Sequence, residues 1–195
     1  MWDERYAGEE FIYGTEPNTF LAENSHYLSS PVLSIAEGEG RNAVYLASRG
    51  LEVLGVDGSA VGLAKAAKLA ASRGLNIRTE VTDLATYTPA DQYFNGVVSI
   101  SAHLPGEIRK ALHQRVEKCL RPGGIILLEA YAKAQINRDT GGPKDVDMLM
   151  SKAALEAEFP NCEPIMAREI ERQVNEGRFH NGLASVVQFI ARKKA

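Results

Sequence analysis

Cysteine is scarce in this 195-residue chain, which contains only Cys119 and Cys162. No Cys-x-x-Cys spacing is present, so a disulfide framework and a cysteine-based metal or redox site are excluded. Both cysteines are expected as reduced residues in or near the core. An excess of one charge is lacking too: 22 basic residues stand against 25 acidic ones, a net charge of −3. That balance argues against a general nucleic-acid binder, which needs clustered positive charge. No apolar run approaches the ~20 residues that cross a bilayer. The N-terminal stretch MWDERYAGEEF has neither the basic start nor the apolar run of a secretory signal. Low-complexity segments, fixed-period repeats and Pro/Gly/Ser linkers are also missing. The expectation is a cytoplasmic protein with no membrane and no nucleic-acid partner. One domain spans 1–195, with a cap over 1–30, a core over 31–131 and substrate-side elements over 132–195.

What is present is an alternation of β-branched runs with helical patterns. Pro31 to Ile35 reads as a strand, Arg41 to Ser48 as a helix closed by Gly50, and Leu51 to Val56 as a second strand. Ser59 is placed to cap an Ala-rich helix that runs to Ser72 and stops at Gly74. Ile77 to Val81 makes a third, more polar strand and Gly96 to Ser101 a fourth. In Glu107 to Leu120, apolar Ile108, Ala111, Leu112, Val116 and Leu120 follow helical spacing. Arg121 to Gly124 reads as a turn before the apolar strand Ile125 to Glu129. Ala132 to Val146 shows no period, a short helix covers Ser151 to Glu158, and two strand-like runs, Pro164 to Glu171 and Leu183 to Ala191, close the chain around polar Gln173 to Asn181. The class is α/β: a doubly wound, mostly parallel, seven-stranded sheet that ends in an antiparallel hairpin.

In such sheets ligands sit at the carboxyl ends of the strands. The first loop there, Ala36-Glu-Gly-Glu-Gly-Arg-Asn-Ala43, carries glycines that let backbone approach a ligand. Gly38-x-Gly40-x-x-Ala43 also fits the dinucleotide fingerprint, which keeps a nicotinamide-dependent oxidoreductase open. Glu37 and Glu39, set against Arg41 alone, would repel a pyrophosphate but suit S-adenosylmethionine, whose carboxylate Arg41 could pair. Asp57, after the second strand, can accept both ribose hydroxyls in either cofactor. Asp83 and Leu84, after the third, suit the exocyclic amine and ring of adenine, a point that dinucleotide fingerprints do not require.

Read together, these residues resemble the class I S-adenosylmethionine-dependent methyltransferases, and within them the small bacterial branch related to tellurite-resistance and thiopurine methyltransferases. The segments that carry the likeness span nearly the whole chain: Trp2 to Tyr6, Tyr13 to Phe20, Ala36 to Asn42, Val56 to Ser59, His103 to Pro105, Leu120 to Gly124, Gly141 to Asp145 and His180 to Gly182. The broad motif D-x-G-x-G-x-G is incomplete here, since Ser34 and Ala36 replace its acid and first glycine. The resemblance implies S-adenosylmethionine as cofactor and a methyl-transferring enzyme. It implies that Gly38 and Gly40 flank the methionine part, with Ala36, Glu37 and Arg41 beside them. Asp57, Gly58 and Ser59 would surround the ribose, Asp83 and Leu84 the adenine, and Ser101 and Ala102 the wall beyond strand four. Trp2, Tyr6 and Tyr13 would close over the site.

For the chemistry, His103 stands at the catalytic edge as the candidate base or hydrogen-bond donor, with helix capping as its plain alternative. Arg172, Arg178 and His180 form a candidate cluster for an anionic substrate, with exposed surface charge as the alternative. Glu129 is similarly placed, and the loop at Gly141-Gly142-Pro143 reads as a substrate wall. His26 and His113 are assigned to helix surfaces. No metal is expected. The acceptor is expected to be a small molecule, a thiol or an anion such as tellurite or selenite. A non-catalytic module that binds the cofactor as a sensor is the remaining alternative.

Overall fold

A computed structural model describes the chain from Met1 to Ala195. Helix α1 (Trp2–Tyr6) and helix α2 (Thr19–Asn24) precede strand β1 (Val32–Ile35). There follow α3 (Arg41–Ser48), β2 (Val53–Asp57), α4 (Ala60–Ser72), β3 (Arg78–Val81), β4 (Phe94–Ile100), α5 (Gly106–Cys119), β5 (Leu120–Tyr131), α6 (Lys152–Glu158), β6 (Cys162–Asn175) and β7 (Asn181–Lys193). The strands form one sheet in the order β3-β2-β1-β4-β5-β7-β6. The first five are parallel, whereas β7 runs antiparallel to both β5 and β6. The seven-stranded α/β sheet and its closing hairpin are as expected. No helix is long and apolar enough to cross a membrane.

Period-two patterning distributes the core. Leu33, Ile35, Val97, Ile126 and Leu128 face one side of the sheet, under Leu112 and Val116 of α5 and Leu155 and Phe159 near α6. Val32, Val98, Ile125 and Leu127 face the other, under Phe20 and Leu21 of α2 and Leu46 of α3. Both faces are covered, so the inner strands are apolar throughout. The outer strands are not: β3 is exposed along its length, and β6 alternates charged residues that blunt the sheet's edge. Helix starts follow local chemistry: Asn18, Ser59 and Ser151 accept from Leu21, Gly62 and Ala154 backbone amides.

Three expectations are revised. Arg121 to Gly124 is a bulge inside β5 rather than a turn before it, because Leu120 already pairs with Phe94 and the ladder resumes at Gly96 and Ile125. The hairpin strands extend through Gln173 to Asn175, which sit on a solvent-facing edge where polar residues are tolerated. His113 is buried rather than on a surface. Helix α6, brought back over α5 after the long loop, places Glu158 2.5 Å from His113 Nδ1 and 3.1 Å from Arg109 Nη2.

Burial opposes the charged form of Glu158, but the hydrogen bonds from His113 and Arg109 outweigh it and hold the carboxyl below its ordinary pKa. A depressed carboxylate contributes stability above its unfolded pKa, and this is lost as pH falls through the folded one. Glu158→Gln should therefore destabilise the protein at pH 7 by roughly 3 kcal/mol, the cost of breaking a buried pair. The gap should narrow as denaturation is measured from pH 7 down to pH 3. A gap independent of pH would remove the charge from this account.

Candidate active site

The carboxyl ends of β1 to β4 open on a cleft of about 950 Å3. Its floor is the loop between β1 and α3, where the backbone turns left-handed at Ala36, Gly38 and Gly40. At Gly40 a side chain is impossible for a second reason: a Cβ would stand 2.6 Å from Ala66 Cα of α4. Asp57 closes this loop from below. Its Oδ2 accepts from Gly38 N and its Oδ1 from Ser59 N, both at 2.8 Å. Burial raises the Asp57 pKa, while these amides favour the carboxylate. Each oxygen keeps a further lone pair for a ligand hydroxyl.

Glu37 and Glu39 are both buried. The Glu37 carboxylate turns toward the sheet, where it accepts from the Ser34 hydroxyl and, at 2.8 Å, from Ala43 N. Burial pushes its pKa up to about 7. Glu39 accepts from Ile12 N at 2.8 Å and pairs with Lys65 at 2.5 Å. Neither is a solvated loop charge. Lys65 also donates to the carbonyls of Gly8 (3.0 Å) and Glu10 (2.6 Å), fastening the N-terminal segment over the cleft. Asp3 adds a second tie by accepting the Ser59 hydroxyl. Trp2, Tyr6 and Tyr13 thereby become part of the cleft wall.

A buried polar network holds the opposite side. Arg172 of β6 reaches Glu129 of β5 through Nε at 3.0 Å and Glu176 through Nη2 at 3.0 Å. Arg41 Nη2 contacts Glu176 at 2.7 Å, and Asn18 Nδ2 donates to Glu129 (2.9 Å) and to Glu176 (2.8 Å). Gln188 adds a 2.6 Å bond to Glu129. Two carboxylates and two guanidiniums balance, as buried charge requires. The network seats the tip between β6 and β7, from which Phe179 and His180 enter the cleft.

Residues 32–124, the stretch that builds the glycine loop, Asp57, Asp83 and His103, match the family described as methyltransferase domain. That match covers a little under half of the chain. A curated relative is the 2-heptyl-1-hydroxyquinolin-4(1H)-one methyltransferase of Mycobacteroides abscessus, 30% identical over 118 residues, or 59% of this chain and 52% of that protein. The chain thus spans about half the length of the curated relative that it matches. Among solved structures, TehB from Haemophilus influenzae superposes with a TM-score of 0.74 at 19% identity, covering 99% of this chain and 66% of that one. The N-methyltransferase NodS from Bradyrhizobium japonicum WM9, solved with S-adenosyl-L-homocysteine, gives 0.71 at 14% identity, covering 98% and 96%. At those identities the likeness is one of fold.

The cleft passes a test of fit for S-adenosylmethionine, the cofactor that the family resemblance implies. Arg41 is buried with Nη2 on Glu176 while Nη1 has no partner, which leaves a donor for a ligand carboxylate. Ala36, Glu37, Gly38, Arg41, Asp57, Gly58, Asp83, Leu84, Ser101, Ala102 and Tyr13 all line the cleft, and Gly40 supports it from behind. Ser59 does not. Its hydroxyl caps α4 and donates to Asp3, so it serves the wall and not the cavity.

The expected anion cluster is not assembled. Arg172 is committed to Glu129 and Glu176, and Glu129 correspondingly belongs to the network rather than to a substrate. Arg178 is exposed, with its guanidinium 5.6 Å from the Phe179 ring. His180 does reach the cleft, but burial, together with nearby Arg41, Arg5 and Arg172, lowers its pKa to about 4 despite Glu176. It is neutral at pH 7. His103 does not cap α5, whose first amide, Gly106 N, is bound by Asp147 at 2.7 Å. Instead its Nε2 accepts from Tyr131 N at 3.0 Å, and burial lowers its pKa to about 3. The sequence reading gave no role to Lys65, Phe179, Asp3, Arg5 or Lys144, although Asp3 and Arg5 lie in the Trp2 to Tyr6 segment and Lys144 in the Gly141 to Asp145 segment. Asn18 lay inside the quoted Tyr13 to Phe20 segment, and its place just before α2 was the one local signal.

Arg172→Met should leave Glu129 uncompensated and cost about 3–5 kcal/mol. At 2–4 °C per kcal/mol for a chain of this size, the melting midpoint should fall by roughly 10 °C. Arg178→Met should shift it by about 2 °C or less. Differential scanning calorimetry separates the two, and equal midpoints would contradict the network.

Proposed function

We propose that the protein transfers a methyl group from S-adenosylmethionine to a small-molecule acceptor bound beside it. The observation that carries this reading is the continuity of the cleft, from Asp57 and Asp83 at one end to His103 and His180 at the other. Its volume of about 950 Å3 lies near the top of the 300–1,000 Å3 range of small-molecule sites, room for two ligands in contact.

In this reading Arg41 Nη1 takes the cofactor carboxylate, and the Gly38–Gly40 turn gives the methionine part close backbone. Asp57 accepts the ribose hydroxyls, while Asp83 and Leu84 frame the adenine. Bound there, the cofactor supplies an electrophilic methyl on a sulfonium. The chain's own work is positional: it holds the acceptor against that methyl and keeps water out with Trp2, Tyr6 and Tyr13, for which proximity alone contributes several kcal/mol. A thiol or an oxyanion of tellurium or selenium remains the acceptor implied by the family resemblance. The curated relative, by its name, acts on a hydroxyquinolinone. Soft or acidic nucleophiles are common to both.

Titration calorimetry should register S-adenosylmethionine or S-adenosyl-L-homocysteine and no NAD or NADP. Asp57→Ala removes an acceptor of hydrogen bonds worth about 1.5–3 kcal/mol each, and a net loss of roughly 2–4 kcal/mol should weaken affinity by about 30- to 1,000-fold. Normal binding by a folded Asp57→Ala protein, or tight nicotinamide binding by the wild type, would refute the assignment.

A further inference from the structure

The N-terminal segment is gathered onto α4 by one ammonium. Lys65 Nζ donates to the carbonyls of Tyr6 (3.4 Å), Gly8 (3.0 Å) and Glu10 (2.6 Å), so three carbonyls take its three donors. The Glu39 carboxylate supplies the opposite charge at 2.5 Å, and its other oxygen accepts from Ile12 N. The Phe11 ring lies 5.0 Å from the same ammonium. Residues 6 to 12 therefore wrap a single cation. Lys65 itself does not line the cleft.

What the segment delivers to the cleft is Tyr6. Its ring rests where two side chains are missing. A Cβ on Gly62 of α4 would stand 2.9 Å from Tyr6 Cδ2, and one on Gly38 would stand 2.8 Å from the Tyr6 hydroxyl oxygen. Tyr6 is 5% exposed, yet its hydroxyl makes no hydrogen bond within the chain and faces the glycine loop. Burial and the nearby Asp57 carboxylate push its pKa up, so it stays a neutral donor. Trp2, the one tryptophan of the chain, stacks on Tyr6 with centroids 5.6 Å apart.

We propose that Lys65 is a positioning residue for the cofactor: it touches no ligand, but by gathering the carbonyls of Tyr6, Gly8 and Glu10 it holds Tyr6 over the Gly38 turn and so sets the rate at which the cofactor leaves. This rests on the methyl-transfer reading above. A molecule seated under Tyr6 departs only after the segment lifts, so the strength of the Lys65 tie enters the dissociation rate. The linkage is reciprocal, and a bound cofactor holds the segment down in turn.

The test uses the full chain with S-adenosyl-L-homocysteine as the probe, at a temperature where circular dichroism shows each variant folded. Trp2 reports the segment without background, since no other tryptophan emits. In Lys65→Met the anisotropy of Trp2 emission should fall. Stopped-flow displacement should show the probe leaving about tenfold faster, the scale of one lost charge-assisted hydrogen bond, with its association rate unchanged or higher. Gly62→Ala keeps Lys65 and displaces Tyr6 by contact alone, and it should give the same two changes. Lys65→Arg keeps a charge opposite Glu39, but a planar fork does not meet three convergent carbonyls, so its release rate should fall between wild type and Lys65→Met. Release at the wild-type rate from Lys65→Arg would reduce Lys65 to neutralising Glu39 and overturn the proposal. So would an unchanged Trp2 anisotropy in Lys65→Met, or unchanged release from a variant whose Trp2 has been freed. If Lys65→Met does not fold, Gly62→Ala and Lys65→Arg decide by the same readings. Failure of the wild type to bind the probe would instead overturn the methyl-transfer reading, and Trp2 anisotropy would still decide whether Lys65 holds the segment.

Discussion

Glu129 and Glu176 could not both be buried beside each other without Arg41 and Arg172 between them. Each pair of unlike charges here recovers part of a desolvation cost of several kcal/mol per ion. The four side chains, with Asn18 and Gln188, come from α3, three strands of the sheet, the hairpin tip and the turn before α2. They are therefore a fastening between parts of the fold that the hydrophobic core leaves separate. Without it the tip would lose its charged anchor over the sheet's carboxyl edge, and the cleft would lose support for the wall that carries Phe179 and His180. It also leaves Arg41 with one engaged nitrogen and one without a partner, the donor proposed for the cofactor carboxylate.

The same economy recurs at the glycine loop. The family motif places an acid where this chain has Ser34, yet the Ser34 hydroxyl donates to Glu37, and so a carboxylate stands beside the position from which it is missing. Glu39, next along, is neutralised by Lys65. Charge that looked in the sequence like repulsion toward a phosphate is mostly internal. The discrimination against dinucleotides argued from loop charge thus had a weaker physical basis than supposed. The likeness of residues 32–124 to a methyltransferase domain, not loop charge, is what points to the cofactor.

Legibility tracked how local the determining interactions are. Helices α3 and α4 and strands β1, β2 and β4 were readable because caps, β-branched runs and terminal glycines lie within a few residues of what they specify. Asp57 was readable for the same reason. His113 was misread because the helix that covers it arrives from a segment beyond an irregular loop, and no periodicity in α5 announces a partner. Arg172 was misread because Glu129 lies 43 residues earlier on a strand beyond β7, while Glu176, four residues on, sits at the hairpin tip. The role of His103 turned on one backbone amide, Tyr131 N, that only the folded β5 presents. A sequence supplies the identity of such groups but not the neighbours that set their protonation.

Where the N-terminal segment meets the hairpin tip, the Arg178 amide bonds the Ile12 carbonyl at 3.0 Å beside Gly177, and Tyr13 and Arg5 pack on His180 and Phe179. A Cβ on Gly177 would lie 2.2 Å from that carbonyl oxygen and 2.5 Å from Tyr13 Cα. The missing side chain at position 177 is therefore what lets the two segments meet. Any larger residue there would push them apart and thin the wall that both contribute to the cleft.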